Sequence, residues 1–217
     1  MRILLPTLSV LVAALASPAA ECAPAAGTVS GWEIEQRTNY AGAQKCYVSP
    51  AGVRLESQLV DTIIDVPGKK VTVFKDDAKA YCMLTYEQWI SHFIKAKPNN
   101  QRKITKGKAG KVAGIAANQY MFENIDHGVR RVTEEYWTAA ETEIPTKFTK
   151  PLSDLADLPP EIGMPLKITQ FKADGSKVVM LDTEKCTKAA INKKIYQMPV
   201  GYKVVKDPIS LVLGADE

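Results

Sequence analysis

The sequence predicts an α+β fold, mostly antiparallel β meander, with one main amphipathic helix over about residues 86–97 and a short second helix over about 152–158 covering its concave face. Three observations carry that expectation. Between Trp32 and Tyr81 short β-prone runs alternate with tight turns. The period then changes from two to 3.6 at Tyr86. After that helix a second set of strand-like runs begins.

The first strand set is Trp32–Arg37, Lys45–Ser49, Gly52–Ser57, Leu59–Val66, Lys69–Phe74 and Lys79–Met83. Asn39–Gly42, Ser49–Gly52, Pro67-Gly68 and Lys75–Ala78 punctuate it. Glycine accepts positive φ, proline presets a turn, and Asn or Asp bonds its own backbone, so these are turns with a mechanism. Connections this short cannot hold a crossover helix, which makes neighbours antiparallel. Val53 and Leu55 alternate with Arg54 and Glu56, whereas Thr62–Val66 is nearly a continuous apolar run, as for a strand covered on both faces.

Tyr86, Trp89, Ile90, Phe93 and Ile94 fall on one helical stripe. Thr85 and Gln88 form a T-x-x-Q capping box, with Leu84 and Trp89 placed to staple across that end. Pro98 stops the helix. Five large apolar groups need an apolar partner surface, each burial contributing about 1.5–3 kcal/mol. Either they fill a core against the sheet, or Trp89, Ile90, Phe93 and Ile94 line a cavity suited to a lipid or acylated ligand.

The second strand set is Val112–Gly114, Ala116–Phe122, Val129–Trp137 and Thr146–Lys150, with Asn124–Gly128 as a turn. Leu152–Leu158 is the short helix, stopped by Pro159. Pro165–Lys172 and Val178–Asp182 flank the Ala173–Ser176 turn as a hairpin, and Lys194–Met198 and Gly201–Val205 are the last apolar runs.

The chain has 217 residues. Residues 1–20 carry one early cation, an apolar run and small residues, the pattern of a secretory signal peptide. Residues 21–30 read as a flexible leader and 31–213 as a single β-rich domain. The chain is therefore expected to be exported, periplasmic or secreted. Glu21 stands where lipidation of Cys22 wants a small residue, which disfavours a lipid anchor. The oxidising compartment predicts at least one disulfide among Cys22, Cys46, Cys82 and Cys186.

The net charge of +4 is too mild for a nucleic-acid partner. It is concentrated between Lys95 and Lys111, where a solvated segment and contact with an anionic membrane surface through Arg102, Lys103, Lys106 and Lys108 are the two readings. The glycines there lack phosphate-loop spacing. With two histidines and no CxxC pair a zinc site is not expected, and no cofactor is implied. His92 reads as a structural helix residue and His127 as turn chemistry. Asp76-Asp77 and Glu134-Glu135 are adjacent pairs whose members face opposite ways on a strand, so neither converges on a substrate. No nucleophile, acid and base set stands out, and the expectation is a protein that is not an enzyme.

The order of several motifs resembles a family of exported bacterial domains catalogued as DUF4412, itself similar to the periplasmic lipoprotein-carrier and localisation fold. The matching stretches are Val48–Glu56, Ile63–Asp65, Lys79–Tyr81, Gly110–Gly114, Glu135–Trp137, Gly163–Leu166 and Pro199–Tyr202. The resemblance implies an unclosed antiparallel barrel covered by helices, and an envelope protein that shelters a lipid moiety. It supplies no active site. The rival expectation is a structural or protein-interaction domain of the envelope with a filled core.

Overall fold

The computed structural model describes residues 26–93, 102–126, 128–159 and 161–213. The signal peptide, Cys22, Ile94, the cations Lys95 and Lys97, and His127 lie outside the described residues.

Six strands form the first wing: β1 Thr28–Thr38, β2 Gly42–Ser49, β3 Gly52–Ser57, β4 Asp61–Asp65, β5 Lys70–Lys75 and β6 Ala80–Thr85. Helix α1, Tyr86–Phe93, follows directly. The second wing is β7 Lys103–Val112, β8 Ile115–Asp126, β9 Val129–Ala139, helix α2 Thr146–Leu155, β10 Pro165–Phe171 and β11 Lys177–Asn192. A 3-10 turn at Lys193–Tyr196, the two-residue strand β12 Lys203–Val204 and helix α3 Pro208–Leu213 close the described chain.

These strands make one sheet of twelve in the order β12-β6-β5-β4-β3-β2-β1-β11-β10-β9-β8-β7. This corrects the expected antiparallel meander forming an unclosed barrel with two covering helices. The sheet is mixed, because β12 runs parallel to β6, and it is open, with β7 and β12 as its edges. The wings meet where β1 pairs with β11, eleven residues against sixteen. Three short helices accompany the sheet. No helix of the described residues is long and apolar enough to cross a membrane.

Several local expectations also change. β1 starts at Thr28, inside the stretch read as leader. Val112–Gly114 is not a strand of its own: Ala113 and Gly114, at φ 49° and 83°, form the two-residue turn that joins β7 to β8. Positive φ at both positions is the turn whose twist matches a hairpin. Thr146–Lys150, expected as a strand, is the first half of α2, and the short helix expected over 152–158 ends at Leu155. Phe148, Leu152 and Leu155 lie on one helical stripe, but Pro151 inside it disguises the period.

Register explains where the core sits. Cys186, Ile34, Cys46, Leu55, Thr62, Val73 and Cys82 stand opposite one another in a single row across the first wing. Trp32, Val48, Val53, Ile64, Val71 and Leu84 form the next row on the same face. Trp89 from α1, Leu152 from α2 and Leu211 from α3 join this cluster. A smaller second cluster, Phe122, Tyr136, Leu158 and Ile162, sits in the other wing.

The three cysteines among the described residues, Cys46, Cys82 and Cys186, are buried free thiols. Cys46 and Cys186 both stand opposite Ile34, on either side of it. Two strand spacings part them by about 9–10 Å, beyond the roughly 7 Å reach of a disulfide. Among the described residues the expected disulfide is therefore not formed.

Candidate functional site

A cleft of about 630 Å³ opens between α1 and α2. Tyr86, Glu87, Ile90 and Ser91 line it from α1; Lys150, Pro151 and Asp154 from α2; Asp157 and Leu158 from the segment beyond; Val66 and Lys69 from the β4–β5 turn. Ile90, Pro151, Leu158 and Val66 give it an apolar floor, and charges of both signs ring it.

Each wall has a local cause. Thr85 Oγ1 accepts the Gln88 N–H at 3.2 Å and Gln88 Oε1 accepts the Thr85 N–H at 2.9 Å, so the capping box predicted from sequence starts α1. The Tyr86 N–H donates to the Lys69 carbonyl at 3.0 Å, which fixes the helix start to the β4–β5 turn. Tyr86 Oη donates to Asp154 Oδ2 at 2.6 Å, and Lys150 Nζ reaches the same carboxylate at 2.6 Å. Burial first, then the bond to Asp154, holds the Tyr86 hydroxyl well above the usual phenol range. It stays a donor at any physiological pH and ties the two helices together across the base of the cleft.

At the far end Arg102 performs a similar office. Its guanidinium donates to the Asp157 carbonyl and carboxylate at 3.1 and 3.0 Å and to Glu134 Oε2 at 2.9 Å. The same group lies 4.1 Å from the centre of the Phe122 ring, and its side chain is only 16% exposed.

The expected ligand residues thus part company. Ile90 lines the cleft, whereas Trp89 is 2% exposed and belongs to the filled layer between α1 and the sheet. Phe93 closes α1, and Ile94 is outside the described residues. Arg102 is engaged inside the fold, while Lys103, Lys106 and Lys108 are exposed along the edge strand β7. Sequence reasoning missed Tyr86 Oη, Lys150, Pro151, Asp154 and Leu158. The signal that could have found α2's members is the Phe148, Leu152, Leu155 spacing.

Other chemistry is sparse. His92 Nδ1 lies 2.9 Å from the Gln88 carbonyl, one turn back on α1. Burial pushes the Cys186 thiol up to about 11 and the Cys82 thiol upward as well, which makes both poor nucleophiles near neutral pH. Among the described residues no three His, Cys, Asp or Glu side chains group as metal ligands.

No family model matches the chain, so the resemblance to DUF4412 has no counterpart there, and no curated protein matches. Solved structures do. An uncharacterized conserved protein from Thermus thermophilus is 11% identical at TM-score 0.48, over 82% of this chain and 90% of that one. A chain of the Pseudomonas aeruginosa MucA/MucB complex is 14% identical at TM-score 0.43, over 82% of this chain and 58% of that one, so this chain spans little more than half its length. A LolA superfamily protein from Nitrosomonas europaea is 10% identical at TM-score 0.27, over 79% of this chain and 90% of that one. What the cleft does is read from its own residues.

Proposed function

We propose that this chain is a non-enzymatic binding protein of the cell envelope that shelters an acyl chain or similar lipid moiety between α1 and α2. The observation that carries this is the cleft of about 630 Å³ with its apolar floor. Its size falls in the usual range for small-molecule sites, about 300–1,000 Å³, and such sites are mostly apolar with few polar contacts. The cavity is not the one expected between helix and sheet, because Trp89, Val48, Val53, Ile64 and Val71 fill that layer. The signal-peptide pattern of residues 1–20 supports the envelope setting.

The filled layer also favours a second reading, an interaction domain whose cleft receives an apolar side chain of a partner protein. One experiment separates the two. An environment-sensitive fluorescent fatty acid is titrated into the purified protein and into Ile90→Trp, whose larger ring occupies the cleft. Saturable binding, weakened about tenfold or more by Ile90→Trp with an unchanged unfolding midpoint, supports the acyl reading. Failure of the parent protein to bind the probe, or equal binding by the variant, sinks it and leaves the interaction domain.

A further inference from the structure

The β8–β9 hairpin reaches past both of its neighbours. On one side β7 begins at Lys103, opposite Glu123. On the other, the last β10 residue paired with β9 is Gln170, opposite Glu134. Beyond those rungs no strand of the described residues flanks the hairpin, which is a two-stranded finger. Its side chains should then be polar, yet Val129, Ile125 and Val132 are 52%, 40% and 37% exposed. Register sorts them. Ile125 stands opposite Arg130, and Glu123 opposite Val132, on one face; Val129 and Arg131 share the other. Each face carries an aliphatic group beside an arginine.

We propose that this finger docks the protein on an anionic phospholipid surface. Ile125, Val129 and Val132 enter the boundary between headgroups and acyl chains, and Arg130 and Arg131 meet the phosphates. A protein groove would cover one face and leave the other set of aliphatic and arginine in water. A bilayer interface surrounds the tip and takes both. Lys103 at the finger's root and Arg130 both approach the Glu123 carboxylate, at 3.9 and 3.8 Å, and with Arg131 they make three cations against two acids, Glu123 and Asp126. The adjoining Arg102 is held by Glu134 and Asp157 and takes no part. Asp157 also lines the cleft, so a docked finger keeps that end of the cleft near the bilayer. The docking stands whether or not the cleft takes an acyl chain.

The test is sedimentation of the purified protein with vesicles of phosphatidylcholine alone and of phosphatidylcholine with phosphatidylglycerol. Binding is expected to the acidic vesicles, weakening with salt, because the Debye length is about 8 Å at physiological ionic strength. Arg130→Gln with Arg131→Gln should weaken it by about thirtyfold. Ile125→Ser with Val129→Ser should weaken it by about tenfold or more. Both pairs keep the parent's unfolding midpoint, and Ile90→Trp binds vesicles as the parent does. No binding by the parent, equal binding to neutral vesicles, full binding by either finger variant, or loss of binding in Ile90→Trp overturns the docking. The last result would place the membrane contact at the cleft, and the fatty-acid titration is read independently of all of them.

Discussion

The two wings of the sheet bury different things. In the first wing, β1 to β6, the inner rows are almost wholly apolar, and Ile34, Cys46, Val48, Val53, Ile64 and Val71 have no exposed surface. In the second, β7 to β11, the smaller inner cluster packs Phe122 and Tyr136 against a guanidinium, and Glu134 is buried with them. One wing is held by area removed from water, the other by rings plus a charge network that must stay satisfied. The cleft lies between α1, which follows β6, and α2, which follows β9 and packs Leu152 into the first wing's core. Its geometry is set jointly by Trp89 on one side and Arg102 on the other.

That difference predicts the largest effects. Trp89→Ala removes the side chain that joins α1 to the first wing's core and should cost about 3–5 kcal/mol. Urea denaturation measures it, and a loss below about 1 kcal/mol would mean that α1 is not seated on the sheet as described. Arg102→Met should cost somewhat less, about 3 kcal/mol, chiefly because the buried Glu134 carboxylate loses its guanidinium partner. The double variant Arg102→Met/Glu134→Leu should recover most of that loss. Asp157, about half exposed, stays solvated in either case. A double variant as unstable as the single one would show that packing over Phe122, not the charge, carries the effect.

The first wing was largely legible and the second only in part, for physical reasons. Strands that alternate between core and solvent and turn at Gly, Pro and Asp announce themselves locally, and so does a helix with a capping box. Pro151 broke the helical period of α2, so its first half read as a strand. β11 was expected to end at Asp182 but runs to Asn192, since its polar second half is held by pairing with β1, a partner about 150 residues away. β12 is two residues long and pairs parallel to β6, which no local pattern encodes. The cleft inherited these errors. Ile90 was found because α1 was found, and Tyr86 Oη and Asp154 were missed because their bond joins residues 68 apart in sequence.

A smaller effect tests the boundary between the wings. Thr85→Ala removes one half of the capping box at the only covalent route from β6 towards β7, and should cost about 1 kcal/mol. The cap is solvent-exposed, so water replaces the lost acceptor and the loss stays modest. The readout is the denaturant midpoint at unchanged slope. An unchanged midpoint would place the start of α1 elsewhere.

The smallest effect on stability belongs to the edge of the second wing. Among the described residues β7 pairs only with β8, and its other side presents backbone N–H and C=O groups without a strand partner. Such an edge invites another strand unless something blunts it, and lysines are a common device. Lys103, Lys106 and Lys108 are exposed along it, and a register shift between Lys106 and Ala109 bends the strand further. Their contacts within the fold are slight: Lys103 lies 3.9 Å from Glu123, and Lys108 lies 6.0 Å from the Trp137 ring. Replacing all three by threonine should shift stability by no more than about 0.5 kcal/mol per site. It should nonetheless raise concentration-dependent association, read by light scattering at low salt, because the mutual repulsion of two such edges is gone. The first wing's edge, β12 with its two residues, offers almost no template and should give no association under the same conditions. A triple variant that associates no more than the parent would mean that the bend alone protects β7, and the lysines would then be left with the membrane contact or with plain solvation.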